Sequence, residues 1–298
     1  MLQVRPLKNG RTLGLVAAML TGALFPALHA AQFLVRPGCM LLLFLAFLGL
    51  PAGLPHLHAS QLRILVASWL LALLGCAGLW FFSHDLALIA LLLVLTPTAT
   101  ASPVVTALLG GRAEYPATMV LLTSLVQPPL VVLAVARLGA SHGHADLLPM
   151  MGSTLLTILG PWILARLLLR GLPERGRTEL LRLRSLSFWL WLVVLAVAMA
   201  GASEFLHRGL EPWWVVGTIG LLSLAVCALN FGIGRRLGGT LHPLEAGQAM
   251  GQKNTTFSLW FALTYLSPLV ALGPASYILW HNLWNAWQLR GAGGGEEE

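Results

Sequence analysis

Residues 86–109 read LALIALLLVLTPTATASPVVTALL, and residues 246–266 read AGQAMGQKNTTFSLWFALTYL. Each is an apolar stretch of membrane-crossing length with a polar interruption inside it. In the first the interruption is Thr96-Pro97-Thr98-Ala99-Thr100-Ala101-Ser102-Pro103, and in the second it is Gly251-Gln252-Lys253-Asn254-Thr255-Thr256. Pro97 and Pro103 each lack an N–H and clash with the preceding turn, so a straight helix is not expected there. At membrane depth, broken backbone is tolerated only where it faces protein or a water-filled cavity. Proline kinks and Ser/Thr are ordinary in membrane helices when they occur singly. Two interruptions in corresponding positions of two halves point instead to a transport site.

The rest of the chain supports a membrane reading. Of 298 residues, 57% are apolar and 10% are charged, against about 25% charged in a soluble globular chain. Too few charges remain to solvate a water-soluble surface. The fold class is therefore all-α, a polytopic membrane protein. At about 20 residues per crossing, ten spans and their short loops consume the chain. They are placed at residues 13–30, 38–50, 62–82, 86–109, 117–138, 147–169, 183–202, 213–233, 246–266 and 269–289. The first could be mistaken for a signal peptide, but it ends at Leu28-His29-Ala30 without a good cleavage site.

Charge asymmetry sets the orientation. With the N-terminus inside, fourteen of the 18 Lys and Arg fall on the cytoplasmic side, and Arg36, Arg137 and Arg208 fall outside. This is the positive-inside pattern, with both termini cytoplasmic. The expected location is the plasma membrane, a bacterial inner membrane. The pI of 10.2 thus reflects topology and not a nucleic-acid surface. One basic residue is left inside a span, Lys253.

Five spans per half invert the second half relative to the first. This gives one repeat over residues 1–140 and another over 141–290, followed by a disordered tail at 291–298, natural or appended. Cys39, Cys76 and Cys227 lie far apart in apolar stretches and read as small core residues. His56, His58, His142 and His144 fall in loops and read as solvated, and Gln127-Pro128-Pro129 as a structural kink. An intramembrane protease would need HExxH or two buried aspartates. The chain has neither, and an enzyme is not expected.

Several motifs are similar to those of the bile acid:sodium symporter family. They are Gly251 to Thr256, then Tyr265-Leu266-Ser267-Pro268, Gly273-Pro274-Ala275 and Trp280-His281-Asn282-Leu283. Thr100-Ala101-Ser102 and Thr123-Ser124 also resemble the family's fourth and fifth helices. The resemblance implies a panel of spans 1, 2, 6 and 7 and a core of spans 3–5 and 8–10, with spans 4 and 9 unwound and crossing. It also implies sodium-coupled uptake of organic anions such as bile acids or small carboxylates. The departures fall on the sodium ligands. Aligned on Gly251 and Asn254, the family's glutamate position is Ala249 and its glutamine position is Lys253. The fourth helix has Pro103 where asparagine is usual, and fifth-helix hydroxyl positions fall on Pro116 and Val120. A hard cation wants several oxygens, and an adjacent ammonium repels it. No metal site is expected.

Lys253 is the one strongly charged residue placed deep in a span, where a charge costs about 2.5–3.5 kcal/mol on insertion scales and is functional by default. Snorkelling to the interface is the alternative. If functional, it is either a fixed cation in place of sodium or a titrating group that couples transport to protons. Around it Asn254, Thr255, Thr100 and Ser102 offer neutral donors and acceptors. His281 and Asn282 match the family's cavity-facing pair, although the flanking Trp280, Trp284 and Trp287 also suit an interfacial belt. The expected function is a sodium-independent secondary transporter of an organic anion. An ordinary sodium-coupled symporter and a transport-inactive receptor are the alternatives. No soluble cofactor and no partner beyond the anion and the lipid bilayer are expected.

Overall fold

A computed structural model of the chain describes residues 10–50, 57–138, 147–207 and 212–293. Arg5, Lys8, Arg208, the histidines at 56, 142 and 144, the junction at 140–141 and the tail from 294 lie outside the described residues. Among the described residues there are thirteen α-helices and no strand. They are α1 (Gly10–Leu24), α2 (Val35–Phe47), α3 (Ala59–Trp80), α4 (His84–Leu95), α5 (Ser102–Leu108), α6 (Glu114–Leu138) and α7 (Leu147–Gly171). Then follow α8 (Glu174–Arg182), α9 (Ser187–His207), α10 (Trp213–Leu237), α11 (Pro243–Gly251), α12 (Thr255–Tyr265) and α13 (Pro268–Gly293).

Six described segments are each long and apolar enough to cross a membrane: Pro26–Phe47, Ala59–Trp80, Glu114–Leu138, Leu147–Gly171, Glu174–Gly201 and Trp213–Leu237. The chain is a helical, multi-pass membrane protein. Its two interrupted stretches are built differently. α4 stops at Leu95 and α5 begins at Ser102; α11 stops at Gly251 and α12 begins at Thr255.

Sidedness explains which helices sit where. Every residue of α4 from Ala87 to Leu95 is buried, as is α12 from Thr255 to Ala262. A helix apolar all round must be surrounded. By contrast α3 exposes Leu62, Val66, Leu70, Leu73 and Leu74, a face for lipid. The half-helices α4, α11 and α12 are thus central and long helices wrap them, whereas α5 exposes Val104 and Leu108. α1 packs on α9, and α2 packs on α7 and α9. In a second group α3 lies on α4, α10 on α4, α11 and α13, and α6 on α4, α5 and α11. The groups meet where α12 and α13 touch α9, α12 touches α2, and α6 touches α7. Lipid tails are as apolar as leucine, so close packing holds such helices together. At Gly234 a Cβ would lie 2.6 Å from the Ala246 carbonyl oxygen, which lets α10 and α11 lie almost backbone to backbone.

The structure corrects the reading of the first two spans. Pro26 ends α1 at Leu24, and the chain continues as a 3-10 turn over Pro26–Leu34 directly into α2. Proline cannot extend the preceding helix but suits the first turn of the next. Because residues 26–35 contain no loop-forming cluster, Arg36 lies in a 22-residue apolar helical segment and not in an external loop. Ahead of the expected seventh span, the basic stretch folds as the separate helix α8. α6 runs unbroken through Pro128 and Pro129. Arg166 donates from Nη2 to the carbonyls of Phe47 and Leu50, both at 3.1 Å, closing the C-terminal end of α2.

Candidate functional site

The two interruptions lie against each other. Thr98 and Lys253 form an isolated antiparallel bridge. The Ala99 N–H donates to the Gln252 carbonyl at 2.9 Å, and the Asn254 N–H donates to the Pro97 carbonyl at 2.8 Å. Backbone freed from one helix is thereby satisfied by backbone freed from the other, which buried amides require. Two further donors of the first break find partners outside the second. The Thr98 N–H reaches Thr123 Oγ1 on α6 at 2.9 Å, and the Thr96 N–H reaches the Leu92 carbonyl at 2.8 Å.

The side chains of the bridge pair make reciprocal contacts. Lys253 Nζ donates to the carbonyl of Val94, at the C-terminal end of α4, at 2.8 Å. Thr98 Oγ1 donates to the carbonyl of Ala249, at the C-terminal end of α11, at 2.7 Å. Each break therefore caps the half-helix of the other. A helix C-terminus carries roughly half a negative charge, and two meet here. One ammonium is about enough to offset both. Lys253 is 2% exposed, too enclosed for its head to reach an interface. Its geometry is that of an amine locked into the crossing.

The other expected residues divide into two sets. Asn254 caps α12, its Oδ1 accepting from the Phe257 N–H at 3.3 Å, and Thr255 is buried in the first turn. Ser102 is fully buried in the first turn of α5 and its hydroxyl has no protein partner. Thr100 is half-buried within the first break, between α4 and α5. Pro97 is buried at the crossing and Pro103 sits in the first turn of α5. Gly251 packs directly under the Phe231 ring, where a Cβ would collide. These residues converge on the crossing.

On α13 the expected pair separates. His281 is buried, edge-on to Tyr277 with ring centroids 5.6 Å apart. Asn282 is half-buried and donates within its own helix, to the Ile278 carbonyl at 2.7 Å. The buried polar face of α13 follows helical spacing instead, through Tyr277, His281 and Asn285 to Gln288. Tyr277 Oη donates to the Gly251 carbonyl at 2.7 Å and accepts from Asn230 Nδ2 at 3.1 Å. Gln252 donates to Gln248, whose amide donates to Gln288 at 2.6 Å. Tyr277, Asn230, Gln248 and Gln288 were not singled out from the sequence, and Thr98 and Thr123 entered only as members of motifs. A polar residue one turn from His281, or alone within a span, was the available signal.

Three of the positions aligned with sodium ligands are packed into the interior. Val120 is packed in the hydrophobic core, Ala249 lies among Ile64, Leu65 and Met250, and Pro116 is buried in α6. The Ala249 carbonyl is occupied by Thr98. At one end of this region, His58 stacks on Tyr115 at 5.8 Å and lies 4.8 Å from His242, tying together the starts of α3, α6 and α11. Glu245, in the first turn of α11, is buried and accepts from the Arg112 N–H at 3.0 Å. Comparison of the chain with protein-family models and with curated protein sequences gives no match.

Proposed function

We propose that the protein is a secondary transporter of an organic anion, working by alternating access in a bacterial inner membrane. In this reading the chain makes ten crossings as two inverted five-span repeats, with both termini cytoplasmic. α4 with α5, and α11 with α12, are the fourth and ninth crossings. The helices α1, α2, α7 and α9 form the panel that the remainder rocks against. The chain is then a divergent relative of the bile acid:sodium symporters.

The observation that carries the reading is the reciprocal crossing of the two breaks, with Lys253 sealed inside it. Discontinuous helices at mid-membrane are the transporter solution to binding an ion or a charged substrate. Here α5 and α12 both begin at the crossing, and helix N-termini present free N–H groups and positive dipole to an anion. Ser102, Asn254, Thr255 and Thr100 sit at those starts. Lys253 supplies from the chain the positive charge that a sodium ion would bring, so transport proceeds without sodium.

The test is counterflow exchange in proteoliposomes. A panel of organic acids is first screened for thermal stabilisation of the purified protein, since a ligand of the folded state raises its melting temperature. The acid that stabilises is then radiolabelled, and its exchange is measured in sodium and in potassium. Equal exchange in both salts, lost by more than about tenfold in Lys253→Met, is expected. A strict sodium requirement would return the protein to an ordinary symporter. Stabilisation without exchange would make it a receptor.

A further inference from the structure

We propose that the cavity between the 3-10 turn Pro26–Leu34, the start of α2 and the C-terminal half of α12 is a binding subsite for a small organic carboxylate, held by Arg36. The cavity has a volume of about 230 Å³ and is lined by Gln32, Phe33, Arg36, Trp260, Leu263 and Thr264 among others. That is below the roughly 300 Å³ at which drug-sized ligand pockets begin, so its occupant is small.

Arg36 is half-buried near the middle of the apolar segment Pro26–Phe47. Charged residues within apolar segments of membrane-crossing length mark ligand or ion pathways. Among the described residues no carboxylate pairs with it. Its guanidinium is nevertheless fixed on two sides. Nε donates to Thr157 Oγ1 at 3.2 Å, and Nη2 is 3.4 Å from the Ser153 carbonyl, both on α7. The Thr157 hydroxyl itself donates to the Ser153 carbonyl at 2.8 Å, so its oxygen is turned to accept from Arg36. The carbon of the guanidinium lies 5.6 Å from the centre of the Trp260 ring, a cation–π arrangement.

A guanidinium has five N–H donors in a rigid fork, and two are used, which leaves Nη1 and one hydrogen of Nη2. This is the pair that grips a carboxylate with two parallel hydrogen bonds. Trp260 and Leu263 give the cavity an apolar wall for the body of such an acid. Gln32 adds a carboxamide donor that has no protein partner among the described residues. The subsite contains none of the crossover residues and stands whether or not the crossover moves an anion, because the property it predicts is binding.

The experiment is a titration of the purified full chain, in uncharged detergent, with benzoate and with its neutral analogue benzyl alcohol. Tryptophan fluorescence and melting temperature are the readouts. Saturable binding of benzoate, at least about tenfold tighter than of benzyl alcohol, is expected. Arg36→Gln is expected to abolish that preference, and Arg36→Lys, which keeps the charge without the fork, to weaken it. Leu263→Trp, which fills the cavity and leaves Arg36 in place, is expected to weaken benzoate by about tenfold, while Arg137→Gln is expected to bind as the wild type. Equal affinity for both probes, or benzoate binding unaltered in Leu263→Trp, would overturn the proposal. So would nanodiscs in which only phosphatidylglycerol, and no free benzoate, stabilises the wild type relative to Arg36→Gln. That last result would make the site a lipid headgroup contact.

Discussion

Tyr277 holds the crossing from a helix that does not cross. Its hydroxyl is shared between the Gly251 carbonyl, which it donates to, and Asn230, which donates to it. Phenylalanine keeps the ring, so Tyr277→Phe removes the hydroxyl and its hydrogen bonds while leaving the packing in place. An unpaired buried carbonyl costs about 1–3 kcal/mol in a water-soluble protein. Within membranes, side-chain hydrogen bonds measured by double-mutant cycles average about 0.6 kcal/mol and reach about 1.7, because the unfolded helices also find partners. The membrane figure governs here. A cycle of Tyr277→Phe with Asn230→Leu, read by denaturant unfolding in detergent, is expected to give a coupling of about 0.6 kcal/mol. No coupling would mean that the two side chains do not act as one unit.

Among the elements, the break at the end of α11 depends on a missing side chain. Gly251 lies against the Phe231 ring, and that ring is stacked on Trp284 with centroids 5.1 Å apart, so it has little room to retreat. Overpacking a tight interior costs about 1–3 kcal/mol. Gly251→Ala is therefore expected to lower stability by about that amount, and Phe231→Leu placed with it to restore most of the loss. Thermal unfolding of the three variants measures this; a Gly251→Ala protein as stable as the wild type would show that the ring moves freely. The two breaks were legible because Pro97 and Pro103 disfavour continued helix within a run of hydroxyl residues, and because Lys253 is costly anywhere in lipid. Their pairing partner Thr98 was on view but looked like its neighbours, since nothing local distinguishes a threonine that caps a distant helix. The turn at Pro26 was misread for the opposite reason. Hydropathy alone runs through a proline, and only the backbone reveals that the next helix begins on it and carries Arg36 into the apolar layer. On α13, helical spacing from His281 reaches Tyr277 and Asn285, whereas adjacency in sequence favoured Asn282.

For the whole molecule, the reciprocal capping at the crossing makes a demand on topology. If Thr98 and Lys253 are equivalent positions of inverted repeats, the chain passes them in opposite directions across the membrane. The turns after α3 and after α12 must then open on one side, and the segments before α6 and before α11 on the other. The arginines agree with that division, since Arg112 lies just before α6, and Arg235 and Arg236 lie at the end of α10 just before the turn into α11. Impermeant maleimide labelling tests it directly. Cys39, Cys76 and Cys227 are buried and are replaced by alanine to give a silent background. New cysteines at Phe82 and Leu266 are expected to label in intact cells. Cysteines at Glu114 and Leu241, both exposed, are expected to label only after permeabilisation. Labelling of Glu114→Cys and Leu241→Cys from opposite sides would remove the inverted repeat and with it the alternating-access reading. Labelling of all four with inside and outside exchanged would keep the repeat but reverse the protein, placing its arginine-rich face outside against the positive-inside rule.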